Sequence, residues 1–326
     1  MSTSHRVDPA DSVEIGRFAP SSTGPAHPGT LLAALLCWLD ARSLRGRIVL
    51  RIEDLDPERS RPELADALRR DLEWLGLEWD AVRFQHESAE AHAAALDRLA
   101  ERGLLYPCRC SRRTLRERAE PAEDGELRYP GTCRGRELPP GGWRACAEPL
   151  RVALPAGRIE IADESGLDLS QDPFALRGDP IVRRRDGSVA YQLAGVVDDG
   201  GIEVTRVVRG RDLAPSTATQ AALQDLLGLL RPRYRHHLLL LEERGPKLAK
   251  LHGAVGAAAL RRAYPARALC GWLAFAAGLL PRPEDIAPTE LLPGFSWSRV
   301  AEADRVVRWT GDALVLVASS GKSADT

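Results

Sequence analysis

Apolar positions gather in two blocks near the start of the chain, residues 13 to 18 and residues 31 to 44, joined by a loop rich in Pro, Gly, Ser and Thr. The short block predicts a strand. The long one predicts a helix, apolar over most of its surface, that stops at Gly46, a residue suited to helix C-termini. Residues 48 to 52 predict a second, buried strand. The first 52 residues therefore contain a β–α–β unit that delivers Glu53 and Asp54 at the carboxyl end of a strand, where open α/β sheets bind ligands. Ser60 and Glu63 have capping-box spacing ahead of a helix reaching about Leu75. Another helix is predicted over residues 89 to 102. Apolar periodicity then lapses from Tyr106 to about Trp143 and returns as alternation over residues 150 to 161. Asp186-Gly187, between apolar runs ending at Arg185 and at Tyr191, predicts a hairpin. A strand over residues 204 to 209, a helix over 215 to 230 and an apolar run over 238 to 241 follow. Two more helices, 255 to 264 and 267 to 280, make the last part mostly helical, and residues 319 to 326 read as a disordered tail. There is no internal repeat.

With 44% hydrophobic residues in 326, the chain can build one large domain and a smaller one. Its net charge of −1 excludes a generally basic nucleic-acid coat. RNA contacts must use local patches such as Arg109, Arg112, Arg113, Arg116 and Arg118, or Arg183-Arg184-Arg185. No apolar run is long enough for a membrane helix, and the polar segment 1 to 14 lacks a signal-peptide pattern. The expectation is a cytoplasmic protein, in which six cysteines serve as reduced thiols or metal ligands rather than disulfides.

Three groups of residues carry chemistry. His27-Pro28-Gly29-Thr30 closes the first loop at a helix start, where free N–H groups and the helix dipole favour an anion. His27 is placed to donate to a phosphate oxygen, and Gly29 lets a nucleotide approach the backbone. Only 3 of the 45 basic residues are Lys, and two of them, Lys247 and Lys250, stand three apart in a loop. A compact ammonium on a flexible stem suits a phosphate that moves during a reaction. Cys108-Arg109-Cys110 with Cys133 fits tetrahedral zinc, for which chemistry alone names Cys146 as the fourth ligand. Cys37 and Cys270, set among apolar residues, read as small core residues.

The stretch Arg17-Phe18-Ala19-Pro20-Ser21-Ser22-Thr23-Gly24-Pro25-Ala26-His27-Pro28-Gly29-Thr30 resembles the HIGH-type signature of class I aminoacyl-tRNA synthetases. Lys247-Leu248-Ala249-Lys250 resembles their KMSKS-type signature. The first stretch looks specifically like the glutamyl branch, which Arg51-Ile52-Glu53-Asp54-Leu55-Asp56, Tyr191 and Val207-Val208-Arg209-Gly210-Arg211-Asp212-Leu213 also match. The resemblance runs from about Gly16 to about Lys250. It implies an α/β fold, a Rossmann-type parallel-sheet catalytic domain with a zinc-bearing insertion and a C-terminal helical region. It implies ATP with Mg2+ as a substrate, bound by His27, Gly29, Thr30, Lys247 and Lys250, with His27 and Lys250 catalytic. It assigns L-glutamate to Arg17, Phe18, Ala19, Pro20, Ser21, Glu53, Tyr191 and Arg209. That set suits the ligand: an Arg fork is the natural partner of a carboxylate, and Glu53 is placed to accept the ammonium. Asp198-Asp199 resembles the family's paired Asp at the pocket floor, with its role left open.

Within that family, Cys108-x-Cys110 followed by Tyr129-x3-Cys133 resembles the glutamyl-queuosine tRNA(Asp) branch, which implies Tyr129, in place of Cys146, as fourth ligand of one structural Zn2+. The stretch after Lys250 is short for the anticodon-binding region of a full glutamyl-tRNA synthetase. The resemblance thus implies tRNA-independent activation of glutamate and its transfer to the queuosine base in the anticodon loop of tRNA(Asp), by a monomer. The alternatives are a discriminating glutamyl-tRNA synthetase fragment and a non-catalytic paralogue that binds tRNA or glutamate. Three positions depart from the family pattern: Ser22 replaces the usual Pro, an exchange expected to loosen the loop; Pro28 stands where an apolar residue is commoner; and Ala249 removes a Ser hydroxyl. The expected division is residues 1–105 for the first half of the catalytic domain and 106–150 for the zinc insertion. Residues 151–235 complete the insertion and the catalytic domain, and 236–326 hold the KMSKS-type loop and a helical stem-contact region.

Overall fold

The structure is a computed structural model that describes residues 13–56, 58–118, 127–242 and 255–317. Lys247, Lys250 and the tail from 319 to 326 lie outside the described residues. The first half alternates strand and helix: β1 (Ile15–Phe18), α1 (Pro28–Ser43), β2 (Arg47–Ile52), α2 (Pro62–Trp74), β3 (Ala81–Phe84) and α3 (Ala89–Glu101). A smaller layer follows, with β4 (Leu105–Pro107), α4 (Arg112–Arg118), β5 (Leu150–Val152), α5 (Pro173–Arg177) and β6 (Ile181–Arg183). The chain then returns through α6 (Tyr191–Ile202), β7 (Arg206–Gly210), α7 (Thr217–Leu227) and β8 (Arg233–His237). The last elements are β9 (Leu240–Glu242), α8 (Ala257–Ala263), α9 (Ala266–Ala276), α10 (Pro288–Leu291), β10 (Arg305–Trp309) and β11 (Leu314–Leu316).

Five strands form one parallel sheet in the order β3-β2-β1-β7-β8. The chain builds outward from β1 to β3, then crosses to the other side of β1 to place β7 and β8. Strand order therefore reverses between β1 and β7, and parallel sheets open a ligand crevice at such a point, beyond the strands' carboxyl ends. Those two ends carry Arg17 and Phe18 on one strand and Arg209 and Gly210 on the other. Helix α1 packs on β1, β2 and β7 with one side and on α9 and α10 with the other. That double covering is why its residues are apolar almost all round. β4, β5 and β6 form a separate antiparallel sheet.

Several elements differ from the sequence expectation. α2 starts after Arg61 with no side-chain cap, because Pro62 occupies its first turn and sets the start; the Ser60 hydroxyl is buried without a partner, so the capping box does not form. The Asp186-Gly187 turn closes as a hairpin, with Arg184 N–H bonded to Ser188 O at 2.8 Å and Ala190 N–H to Val182 O at 2.9 Å. Tyr191, however, opens helix α6 rather than extending the strand. Gly195, Gly200, Gly201 and paired valines hide that helix from a propensity reading, and packing on α3 and α7 sustains it. β8 was hidden too, since Arg-Tyr-Arg-His-His carries no apolar alternation. The C-terminal part adds β10 and β11 to its helices; they join β9 in a three-stranded sheet.

Asp40, near the end of α1, ties these layers together. It is buried and accepts from Arg206 Nε at 2.8 Å, Arg206 NH2 at 3.0 Å and Trp297 Nε1 at 2.7 Å. Arg206 also reaches Glu164 at 2.9 and 2.6 Å. Breaking such a buried pair from one side leaves a charge without its partner. Asp40→Ala should lower the unfolding free energy by about 3 kcal/mol, measured by denaturant titration. A change of less than about 1 kcal/mol would mean that Glu164 alone compensates Arg206.

Candidate active site

A cavity of about 570 Å³ opens at the carboxyl ends of β1 and β7. Its wall brings together Arg17, Phe18, Ala19, Pro20, Ser21, His27, Gly29, Thr30, Glu53, Tyr191 and Arg209. Asp212 and Leu238 to Leu240 are also part of it. Of the residues assigned to glutamate and ATP, only Lys247 and Lys250 fall outside the described chain.

Backbone pairing shapes the loop after β1. Glu53 N–H donates to Pro20 O at 2.9 Å and Ser22 N–H to Glu53 O at 3.1 Å, with a bridge between Ser21 and Glu53. The Ser22 hydroxyl adds a contact to Glu53 O at 3.4 Å. The exchange expected to loosen the loop thus supplies a backbone donor that Pro lacks. His27 caps α1: its Nδ1 accepts from Thr30 N–H at 3.4 Å, which assigns the ring proton to Nε2. Pro28 takes the first helical turn, where its missing N–H costs nothing. A Cβ on Gly29 would stand 3.0 Å from the His27 ring, so glycine there makes room for the imidazole as well as for a ligand.

Three buried arginines cluster here: Arg17 and Arg209 line the cavity, and Arg51 joins them through Asp199 and Glu53. Arg17 donates to Val208 O at 3.2 Å, and its Nε lies 3.4 Å from Asp199. Arg51 bonds Asp199, lies 3.2 Å from Glu53 and 3.9 Å from Asp198. Burial disfavours its charge, but Asp199, Glu53 and Asp198 outweigh this and hold its pKa above the ordinary value. Asp199 is held low although burial opposes it, because Arg51 and Arg17 face it. Glu53 goes the other way: burial lifts its carboxyl above the usual range against the pull of Arg51 and Arg17. Tyr191 is raised by burial and by Glu53. Arg209 donates to His236 Nε2 at 2.9 Å, Gln220 at 2.8 Å and Thr217 at 2.7 Å, and burial lowers its pKa.

The Asp pair divides its work. Neighbouring residues on a helix face different ways. Asp199 turns to Arg51 and Arg17, while Asp198 accepts from Gln85 at 2.7 Å and pairs with His92 at 2.8 Å, tying α6 to α3. Sequence reasoning gave no role to Arg51, Thr217, Gln220, Asp163 or His236. The one signal for them was the placing of polar residues inside segments that must be buried, such as Thr217 and Gln220 in the largely buried α7.

The smaller sheet carries a thiol cluster. The sulfurs of Cys108, Cys110 and Cys133 lie within 4.8 Å of one another. Cys110 and Cys133 are 3.6 Å apart, and the Tyr129 hydroxyl is 3.8 Å from Cys108 Sγ. Zn–S bonds of ordinary length put tetrahedral ligands about 3.8 Å apart, so the donor set fits a metal. Cys146 packs instead with Leu150 and Val152 in a different part of the core, its thiol bonded to Glu148 O. Cys37 and Cys270 are buried, and burial pushes each thiol up to about 12.

A model of the catalytic domain of class I tRNA synthetases (E and Q) matches residues 13–269. A glutamyl-Q tRNA(Asp) synthetase of Symbiobacterium thermophilum is 43% identical over 304 residues, covering 87% of this chain and 93% of that protein. One of Bordetella bronchiseptica is 46% identical over 256 residues, covering 77% and 79%. A solved glutamate tRNA ligase from Elizabethkingia meningosepticum, in complex with its amino acid, has a TM-score of 0.74 at 24% identity. That likeness, which concerns the fold, covers 90% of this chain and 66% of the other. No described helix is long and apolar enough to cross a membrane. With a match of that extent and relatives of that identity, the chain belongs to the class I aminoacyl-tRNA synthetases, in the family of the E and Q catalytic domains.

Proposed function

We propose that this ligase activates L-glutamate with ATP, without tRNA, and transfers it to the queuosine base in the anticodon loop of tRNA(Asp), in the cytoplasm. One observation carries the reading: Arg17, Arg209, Tyr191 and Glu53 share a single cavity with His27, Gly29 and Thr30. The cationic pair suits one carboxylate of glutamate. Glu53 lines the same cavity and offers a carboxylate to its ammonium. The His27 ring and the start of α1 suit the phosphates of ATP, with Mg2+ supplying further charge neutralisation when bound. The substrate carboxylate oxygen bonds to the α-phosphorus while the bond to the pyrophosphate oxygen breaks. No proton moves, so the protein's task is positioning and charge stabilisation. In the second step a hydroxyl of the queuosine cyclopentene diol attacks the acyl carbon and gives up its proton to the departing phosphate oxygen, and AMP leaves with the electron pair of the anhydride bond. The printed names of the relatives support this acceptor.

Cys108, Cys110, Cys133 and Tyr129 would hold one Zn2+, a closed structural site that pins the loops of the small sheet. Arg151 supports this reading: its Nε lies 3.3 Å from Cys108 Sγ and its guanidinium 3.5 Å above the Tyr129 ring, a cation placed to offset thiolate charge. Elemental analysis of untagged protein should find about one zinc per chain. Cys108→Ser with Cys110→Ser should abolish it. Retention by that double variant refutes the ligand set, and loss in Cys146→Ser but not in Tyr129→Phe moves the fourth ligand.

ATP–pyrophosphate exchange with glutamate should proceed without tRNA. Lys250→Ala should slow it roughly 100- to 1000-fold, the cost of losing one transition-state charge contact. Ala249→Ser, which restores a hydroxyl, should leave the rate equal or higher. Strict dependence on tRNA, or near-equal rates for wild type and Lys250→Ala, would contradict the assignment.

The acceptor is tested by loading labelled glutamate onto tRNA from cells with and without queuosine, then digesting and mapping the label. Label is expected on the anticodon loop and only in queuosine-containing tRNA. Label on the terminal adenosine would return the enzyme to ordinary glutamyl-tRNA synthesis.

A further inference from the structure

Arg209 differs from the other arginines of the pocket in its partners. Its three hydrogen bonds go to uncharged groups: His236 Nε2, Gln220 Oε1 and Thr217 Oγ1. A guanidinium N–H only donates. His236 Nε2 must therefore accept, and the ring proton sits on Nδ1. Nδ1 lies 2.6 Å from Asp163 Oδ2, and both side chains of that pair are fully buried. The other oxygen of Asp163 accepts from the Ser165 backbone N–H at 2.9 Å and from the Ser165 hydroxyl. A connected line thus runs from a backbone turn through a carboxylate and an imidazole to the guanidinium in the pocket.

We propose that Asp163 and His236 are positioning residues that aim Arg209 at the carboxylate of glutamate without placing a protein carboxylate in direct contact with it. The proposal rests on the reading of Arg209 as a glutamate-binding residue. The surroundings of His236 agree with a neutral imidazole. Burial and the cations Arg209 and Arg17 disfavour its protonation more than Asp163 favours it, and its pKa lies below the ordinary value. The Thr217 hydroxyl, 3.4 Å from Nε2, and the stacked Tyr234 ring complete the shell. A carboxylate bonded straight to Arg209 would fix the guanidinium equally well but would occupy the charge that the substrate needs. An imidazole held in one tautomer fixes direction without doing so.

Asp163→Asn tests the relay with an isosteric change. The Ser165 N–H can only donate, so the amide oxygen stays on that side and the NH2 faces His236 Nδ1. Nδ1 must then accept, the proton moves to Nε2, and two N–H groups confront each other at Arg209. In ATP–pyrophosphate exchange the KM for glutamate should rise roughly 10- to 100-fold, with kcat and the KM for ATP nearly unchanged. Loss of a nearby negative charge would by itself strengthen binding of an anion, so the direction separates the relay from simple electrostatics. Long-range ¹H–¹⁵N correlation spectra should show the Nδ1–H form of His236 in the wild type and the Nε2–H form in Asp163→Asn. His236→Leu should raise the same KM, and His236→Gln, which keeps an acceptor for Arg209, should recover much of the loss. An unchanged or lowered glutamate KM in both Asp163→Asn and His236→Leu overturns the proposal. Arg209→Lys separates the layers: if it too leaves the glutamate KM unchanged, the reading of Arg209 itself falls, whereas a raised KM there beside an unchanged one in Asp163→Asn removes only the relay.

Discussion

Holding Arg17, Arg51 and Arg209 out of water in and behind one pocket is the constraint on which the site depends. Each buried guanidinium forfeits several kcal/mol of hydration unless partners replace it. The sheet puts them there. Arg17 and Arg209 sit at the carboxyl ends of β1 and β7, the strands on either side of the reversal in strand order, and Arg51 stands beside them on β2. Side chains at that seam cannot turn to solvent without unpairing the central strands. The partners must come from other elements, and they arrive from α6, α7 and β8.

Helix α6 answers most of that demand. Tyr191 at its first turn lines the pocket and Asp199 two turns on meets Arg51 and Arg17, while Asp198 turns back to His92 and Gln85. The helix is a poor one by composition, with three glycines and two valines in twelve residues. Its stability therefore comes from tertiary contact with α3 and α7, and the Asp198 pair with α3 is part of that contact. Packing and charge placement are one arrangement here: loosening α6 from α3 would also withdraw Asp199 from Arg51.

This coupling explains what the sequence could and could not disclose. The β–α–β start was legible because its strands are mostly apolar and its helix is covered on two sides. The loop residues Arg17 to Thr30 were legible because their order matches a known signature. α6 and β8 were not, since one is glycine-rich and the other reads Arg-Tyr-Arg-His-His; each is held by partners distant in sequence. The same distance hid the links from Asp198 to His92 and from Asp163 to His236, which join residues 106 and 73 positions apart. The metal cluster was half legible. Thiol spacing alone pointed to Cys146 and the family resemblance to Tyr129; the folded sheet packs Cys146 elsewhere and puts Tyr129 beside Cys108.

The three arginines also differ in how far their charge is already answered. Arg51 faces Asp199, Glu53 and Asp198, and its proton is held more tightly than usual. It is a fixed part of the protein with little left for a ligand. Arg17 shares one of those carboxylates through a longer contact and gives another bond to a backbone carbonyl. Arg209 has only neutral acceptors, and burial lowers its pKa. A free guanidinium starts with so high a pKa that the charge survives this shift. The result is a gradient of compensation across a single floor, from a closed charge on β2 to an open one on β7. An anion entering the cavity gains most beside Arg209, to which no described carboxylate hydrogen-bonds and on which Asp199 acts only at longer range. An ammonium gains at Glu53, a cavity-lining carboxylate whose charge burial disfavours. The pocket is thus polarised before any ligand arrives. Its polarity matches an amino acid that carries an extra carboxylate, and opposes one that presents a second cation in its place.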